Sequence, residues 1–64
     1  MTPKAFCVLY ELHPCASVLL VNLLETTHNI DELWTKIHIK MEISPSRESV
    51  EKLRTDYFAQ YSNS

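Results

Sequence analysis

The sequence contains no glycine. Every backbone device that relies on φ > 0 without steric cost, or on close approach of the main chain to a ligand, is therefore missing. Glycine-rich phosphate loops, dinucleotide fingerprints and two-residue Asn-Gly or Asp-Gly hairpins cannot be written with this chain. Nucleotide-binding enzymes of those classes are excluded. Pro3, Pro14 and Pro45, with caps, divide the chain into four pieces.

At 64 residues there is room for one domain spanning 1–64. A chain of that size buries only about 60% of its unfolded surface, so a lone copy is marginal and a homodimer or a completing partner is expected. The longest apolar stretch, residues 18–24, is broken by Asn22 and falls far short of the roughly 20 residues that span a bilayer. The first residues lack the charged, apolar and cleavage regions of a secretory signal. The expectation is a cytoplasmic protein without a membrane segment, with Cys7 and Cys15 reduced.

Four pieces follow. Thr2 reads as an N-cap with Pro3 at the first helical position, and Ala5, Val8, Leu9 and Leu12 then recur at i, i+3, i+4 and i+7, one helical face. Phe6, Val8, Tyr10 and Leu12 also alternate, which leaves a strand open. Residues 14–27 start at Pro14 and carry Ala16, Leu20, Leu23 and Leu24 on one side, with Val18, Leu19 and Val21 spreading the apolar surface further round. This is expected to be the central, most buried helix.

A third helix starts at Asn29, a cap with Glu32 three residues on, and lines up Ile30, Leu33, Trp34, Ile37 and Met41. Against it, Ile37, Ile39, Met41 and Ile43 alternate with polar residues in the pattern of a half-buried strand. The fourth piece takes Ser44 as cap and Pro45 at the first helical position. Val50, Leu53, Tyr57 and Tyr61 form its stripe, Phe58 broadens it, and Arg47–Glu51, Glu48–Lys52 and Lys52–Asp56 are expected pairs at i, i+4. Residues 62–64 are expected to fray. The fold expected is an all-α bundle of three to four short helices; the alternative is a small α+β domain with strands near 5–12 and 37–43.

The chemistry-bearing residues do not assemble into a reaction centre. Cys7, His13 and Cys15 with His28 or His38 lack the tight ligand pairs of a zinc site, since the cysteines are eight apart across a proline. Cys15 falls near a helix start with His13 two residues away, which favours a thiolate, but no third group or oxyanion site accompanies it. Asp31, Glu32, Glu48, Glu51 and Asp56 lie in first turns or on polar faces, where helix dipoles and solvent account for them. No catalytic residue, cofactor or metal site is assigned, and the chain is expected not to be an enzyme.

Residues 29–42, the connection Ile43-Ser44-Pro45 and residues 46–61, with the Pro14 helix before them, resemble the core of a helix-turn-helix DNA-binding protein. The similarity covers about half the chain and lacks the glycine often found in the turn. It would give Arg47, Lys52 and Arg54 nucleic-acid contacts. Charge opposes that role: the net charge is −2, and residues 45–64 sum to zero, so the cationic face that displaces counterions from DNA is missing. The aromatic excess points elsewhere. Trp34, Tyr57, Phe58 and Tyr61, together with Ile39 on the far side of the third helix, are candidates for an interface with a second copy or a larger protein. The function expected is a small non-enzymatic regulator or inhibitor that binds a larger partner, with a DNA-binding regulator as the alternative.

Overall fold

The computed structural model describes residues 1–62, with Tyr61 and Ser62 described by backbone alone. Four helices follow in order: α1 (Pro3–Leu9), α2 (Ala16–Thr26), α3 (Ile30–Met41) and α4 (Arg47–Ser62). Each packs on the next and α1 closes on α4, giving an all-α bundle without a strand among the described residues. The strands considered near 5–12 and 37–43 are replaced by helix through residues 9 and 41. Asn63 and Ser64, expected to fray, lie outside the described residues.

The core is one cluster: Phe6 and Cys7 from α1, Leu20, Leu23 and Leu24 from α2, Leu33 and Ile37 from α3, and Val50 and Leu53 from α4. On α3 the expected stripe holds, with Ile30, Trp34 and Met41 packed partly buried beside Leu33 and Ile37. Thr27 is the one buried polar residue among those described. Its hydroxyl accepts from the Lys36 ammonium at 3.3 Å, which ties the end of α2 to α3.

α1 settles a direction that the spacing alone leaves open. Thr2 caps it as expected, accepting from the Ala5 N–H at 3.1 Å. The face turned inward, however, is Phe6, Cys7 and Tyr10, while Ala5, Val8 and Leu9 point out. This short helix is apolar on both sides, so only one side can enter the core. The side that wins carries the large Phe6 ring, packed 4.7 Å from Tyr10 one turn on, and so buries more apolar area. α2 needs a correction: its core face is as expected, but Val18 is 73% exposed and Leu19 36%, so it is buried on one side only.

α1 ends in a Schellman turn made without glycine. The Leu12 N–H donates to the Cys7 carbonyl at 2.8 Å and the Glu11 N–H to the Val8 carbonyl at 3.2 Å, the paired bonds of that motif. Glu11 therefore occupies the left-handed position, at φ 56°. Glu42 does the same at the end of α3, at φ 55°. A β-carbon there costs roughly 1 kcal/mol or more. Glu11→Gly is accordingly expected to stabilise the fold by about 0.5 to 1 kcal/mol, part of the relief being lost to unfolded-chain entropy. Thermal unfolding of a dilute sample should show a midpoint higher by roughly 3 to 6 °C; a lower midpoint would mean that Glu11 itself is favoured there.

From Glu42 the chain runs back along α3. The His38 Nδ1–H donates to the Ile43 carbonyl, the Trp34 indole N–H donates to the Pro45 carbonyl at 2.7 Å, and Arg47 forms an ion pair with Asp31. Positions 38, 34 and 31 descend one side of α3 a turn at a time, met by every second residue of the returning strap. This moves the start of α4. The cap is Ser46, whose hydroxyl accepts from the Ser49 N–H at 3.1 Å, rather than Ser44. Pro45 is a buried anchor ahead of the helix. The reason is long-range: the Tyr10 hydroxyl takes the Ser46 N–H at 3.0 Å, and Trp34 takes the Pro45 carbonyl. Burial pushes the Tyr10 phenol up, while hydrogen bonds with Ser49 and Ser46 more than offset this and leave it below its ordinary value.

Candidate docking surface

Six large apolar side chains stand exposed among the described residues: Val8, Leu9, Val18, Leu19, Ile39 and Phe58. Four of them belong to α1 and α2, neighbours in the bundle, so the exposed apolar surface concentrates on one hairpin. Val8 is 78% exposed and Leu9 56%. Lys4 stands one turn before Val8 and is exposed. Two clefts lie beside α1. One, about 230 Å³, is lined by Lys4, Cys7, Val8, Leu12 and Pro14; the other, about 380 Å³, lies between Thr2, Pro3, Lys4, Ser17, Val21, Tyr57 and Gln60.

The first cleft has a thiol at its base, and its chemistry is quiet. Cys7 is 2% exposed, and burial raises its pKa, which keeps it protonated and unreactive. Leu12 meets it there as the hydrophobic contact that accompanies a Schellman turn. Cys15 is exposed at the N-cap position of α2, and its N–H donates to His13 Nδ1 at 3.1 Å. That bond orients the imidazole toward the backbone, away from the role of a base to the thiol. Among the described residues no group of three or more His, Cys, Asp or Glu is placed to hold a metal ion, and no helix is long and apolar enough to cross a membrane.

The residues singled out from the sequence are dispersed. Trp34 is half-buried, bonded to Pro45 and stacked on His38 at 5.0 Å; it holds the strap to α3. Ile39 is 66% exposed on the side of α3 opposite the core, among polar neighbours. Tyr57 is half-buried and donates its hydroxyl to Glu25 at 3.1 Å, with Phe58 edge-on at 5.3 Å. Tyr57 and Phe58 meet each other. The side chain of Tyr61 lies outside the described residues.

The three cations considered for nucleic acid each sit beside acid. Arg47 is paired with Asp31 across to α3 rather than with Glu51. Arg54 is half-buried in a cleft with Ile30, Glu51 and Thr55. Lys52 is exposed between Glu48 and Asp56, one turn to either side, and Asp56 forms its ion pair with the terminal amino group of Met1. The connection after α3 is also longer than the three or four residues of a helix-turn-helix turn, and it runs beside α3 instead of turning away from it.

The surface that sequence reasoning missed was present as a pattern. The spacing of Ala5, Val8, Leu9 and Leu12 marks one helical face without saying which way it points; of the four, only Leu12 packs against the core. Comparison of the chain with protein-family profiles, curated proteins and solved structures finds no match.

Proposed function

We propose that this chain is a non-enzymatic regulator or inhibitor that acts by occupying a surface on a larger protein partner, with the outward side of the α1–α2 hairpin as its contact. The observation that carries this reading is the position of Val8, Leu9, Val18 and Leu19, exposed on two adjacent helices. Covering side chains of this size is worth roughly 1.5 to 3 kcal/mol each when complete, and four of them exposed on two neighbouring helices of so small a domain favour a contact site. The buried thiol of Cys7 is held protonated, which is consistent with a non-catalytic role. A DNA-reading role draws less support, because Arg47, Lys52 and Arg54 are each offset by a neighbouring carboxylate.

The test is site-specific photocrosslinking in the native host, with the reactive amino acid at position 18 and at the exposed Glu48 position as a control. The expected result is one discrete adduct with a larger protein from position 18, suppressed by excess unlabelled parent and not by the Val18→Asp variant. Adducts no stronger than those from position 48 would overturn the reading.

A further inference from the structure

The outward side of α1 has a symmetry of its own. Ala5, Val8 and Leu9 make an apolar stripe, Lys4 stands at its N-terminal end and Glu11 just past its C-terminal end, all exposed. Neither Lys4 nor Glu11 takes part in the ion pairs found among the described residues. In sequence, positions 4 and 11 are equidistant from a point between Cys7 and Val8. A twofold axis through that point would lay α1 antiparallel on α1 of another copy, bring Val8 against its twin and place each Lys4 opposite the other copy's Glu11. The helix dipoles also run favourably in that arrangement, and the small Ala5 side chain lets the two backbones come close.

We infer that the α1 stripe is covered by a second copy of this chain, packed antiparallel around Val8. Equal and opposite charges at the two ends of an apolar stripe complement that same stripe turned end for end, which a heterologous surface has no need of. The inference rests on the reading of this side as a protein contact and names the occupant of its α1 part; Val18 and Leu19 on α2 are left for the larger partner. A standard interface covers about 800 Å² per partner, roughly a fifth of the 4253 Å² of this chain. One helix face is smaller, so the dimer is expected to be weak, with Kd on the order of 100 μM.

Sedimentation equilibrium from about 10 μM to about 1 mM, a range chosen to bracket that Kd, tests it. The parent should show a monomer–dimer equilibrium that Val8→Asp abolishes while the far-UV spectrum stays helical. Lys4→Glu and Glu11→Lys should each weaken dimerisation by about three- to tenfold, since two symmetry-related pairs change from attraction to repulsion. The double variant Lys4→Glu/Glu11→Lys should restore it, and an equimolar mixture of the two single variants should associate more strongly than either alone. A parent that stays monomeric throughout, a dimer indifferent to Val8→Asp, or a double variant no better than the singles would overturn the inference. A monomeric parent that still crosslinks from position 18 to another protein would remove the dimer and leave the binding reading standing; failure of crosslinking removes the reading itself.

Discussion

Ile37→Asp is expected to unfold the protein, whereas Ile39→Asp, two positions along the same helix, is expected to leave it folded. Ile37 is fully buried and belongs to the single core cluster; a carboxylate there has neither water nor a partner, and the cost of burying it is several kcal/mol. A domain of this length has roughly 3 to 10 kcal/mol of stability in total. Ile39 lies about 200° round the helix from Ile37 and is two-thirds exposed, so its carboxylate would be hydrated and its effect within about 0.5 kcal/mol. Circular dichroism with urea titration reads both. Equal loss of structure in the two variants would mean that residues 37–43 form a strand buried on one side, the alternative that their alternation suggested.

The second large effect separates the two faces of α1. Phe6→Ala should cost about 3 to 5 kcal/mol, from lost burial and the cavity left among Leu20, Leu24 and their neighbours, and should leave the chain largely unfolded. Val8→Ala should shift the unfolding midpoint little, because Val8 has most of its surface in water already. A Val8→Ala loss approaching that of Phe6→Ala would place the stripe inside.

Much of the fold was legible from local signals. Thr2 and Asn29 cap where they were expected to, the Asn29 side chain accepting from the N–H groups of Asp31 and Glu32, and the stripes of α2 and α3 face the core as their spacing implies. What was illegible has a common physical cause: it was decided by residues far away in sequence. Periodicity shows that Ala5, Val8 and Leu9 share a face, but in a helix with two apolar faces it carries no information about which one meets the core. That depends on whether Phe6 fits against α2 and α4. The choice between Ser44 and Ser46 as cap is similarly local in appearance, and it is settled by Tyr10, 36 residues earlier.

Glu11 and Glu42 were invisible for a different reason. Glutamate has no preference for the left-handed region, so nothing marks those positions as helix ends of that kind except the lack of any glycine to do the job. Two of the expected ion pairs along α4, Arg47–Glu51 and Lys52–Asp56, failed for a simpler reason. The strap after α3 brings Asp31 to Arg47 and the first residue comes to Asp56, and such tertiary neighbours are not visible in an i, i+4 count. The expected contact residues were chosen by side-chain type, and Trp34 shows the weakness of that choice: an aromatic residue suited to an interface is equally suited to pinning a buried proline carbonyl.

Binding through α1 requires Val8 and not Cys7 to face solvent, and adjacent thiols report which does. In a Cys15→Ser background, labelling of Cys7 by a thiol reagent under native conditions is compared with labelling of a cysteine placed at position 8 in a chain that also carries Cys7→Ala, both at low micromolar concentration. Burial both covers Cys7 and raises its pKa, so Cys7 should react only through opening of the bundle, orders of magnitude more slowly than position 8, which should react at the rate of an unfolded peptide. Comparable rates, or a faster Cys7, would contradict the account.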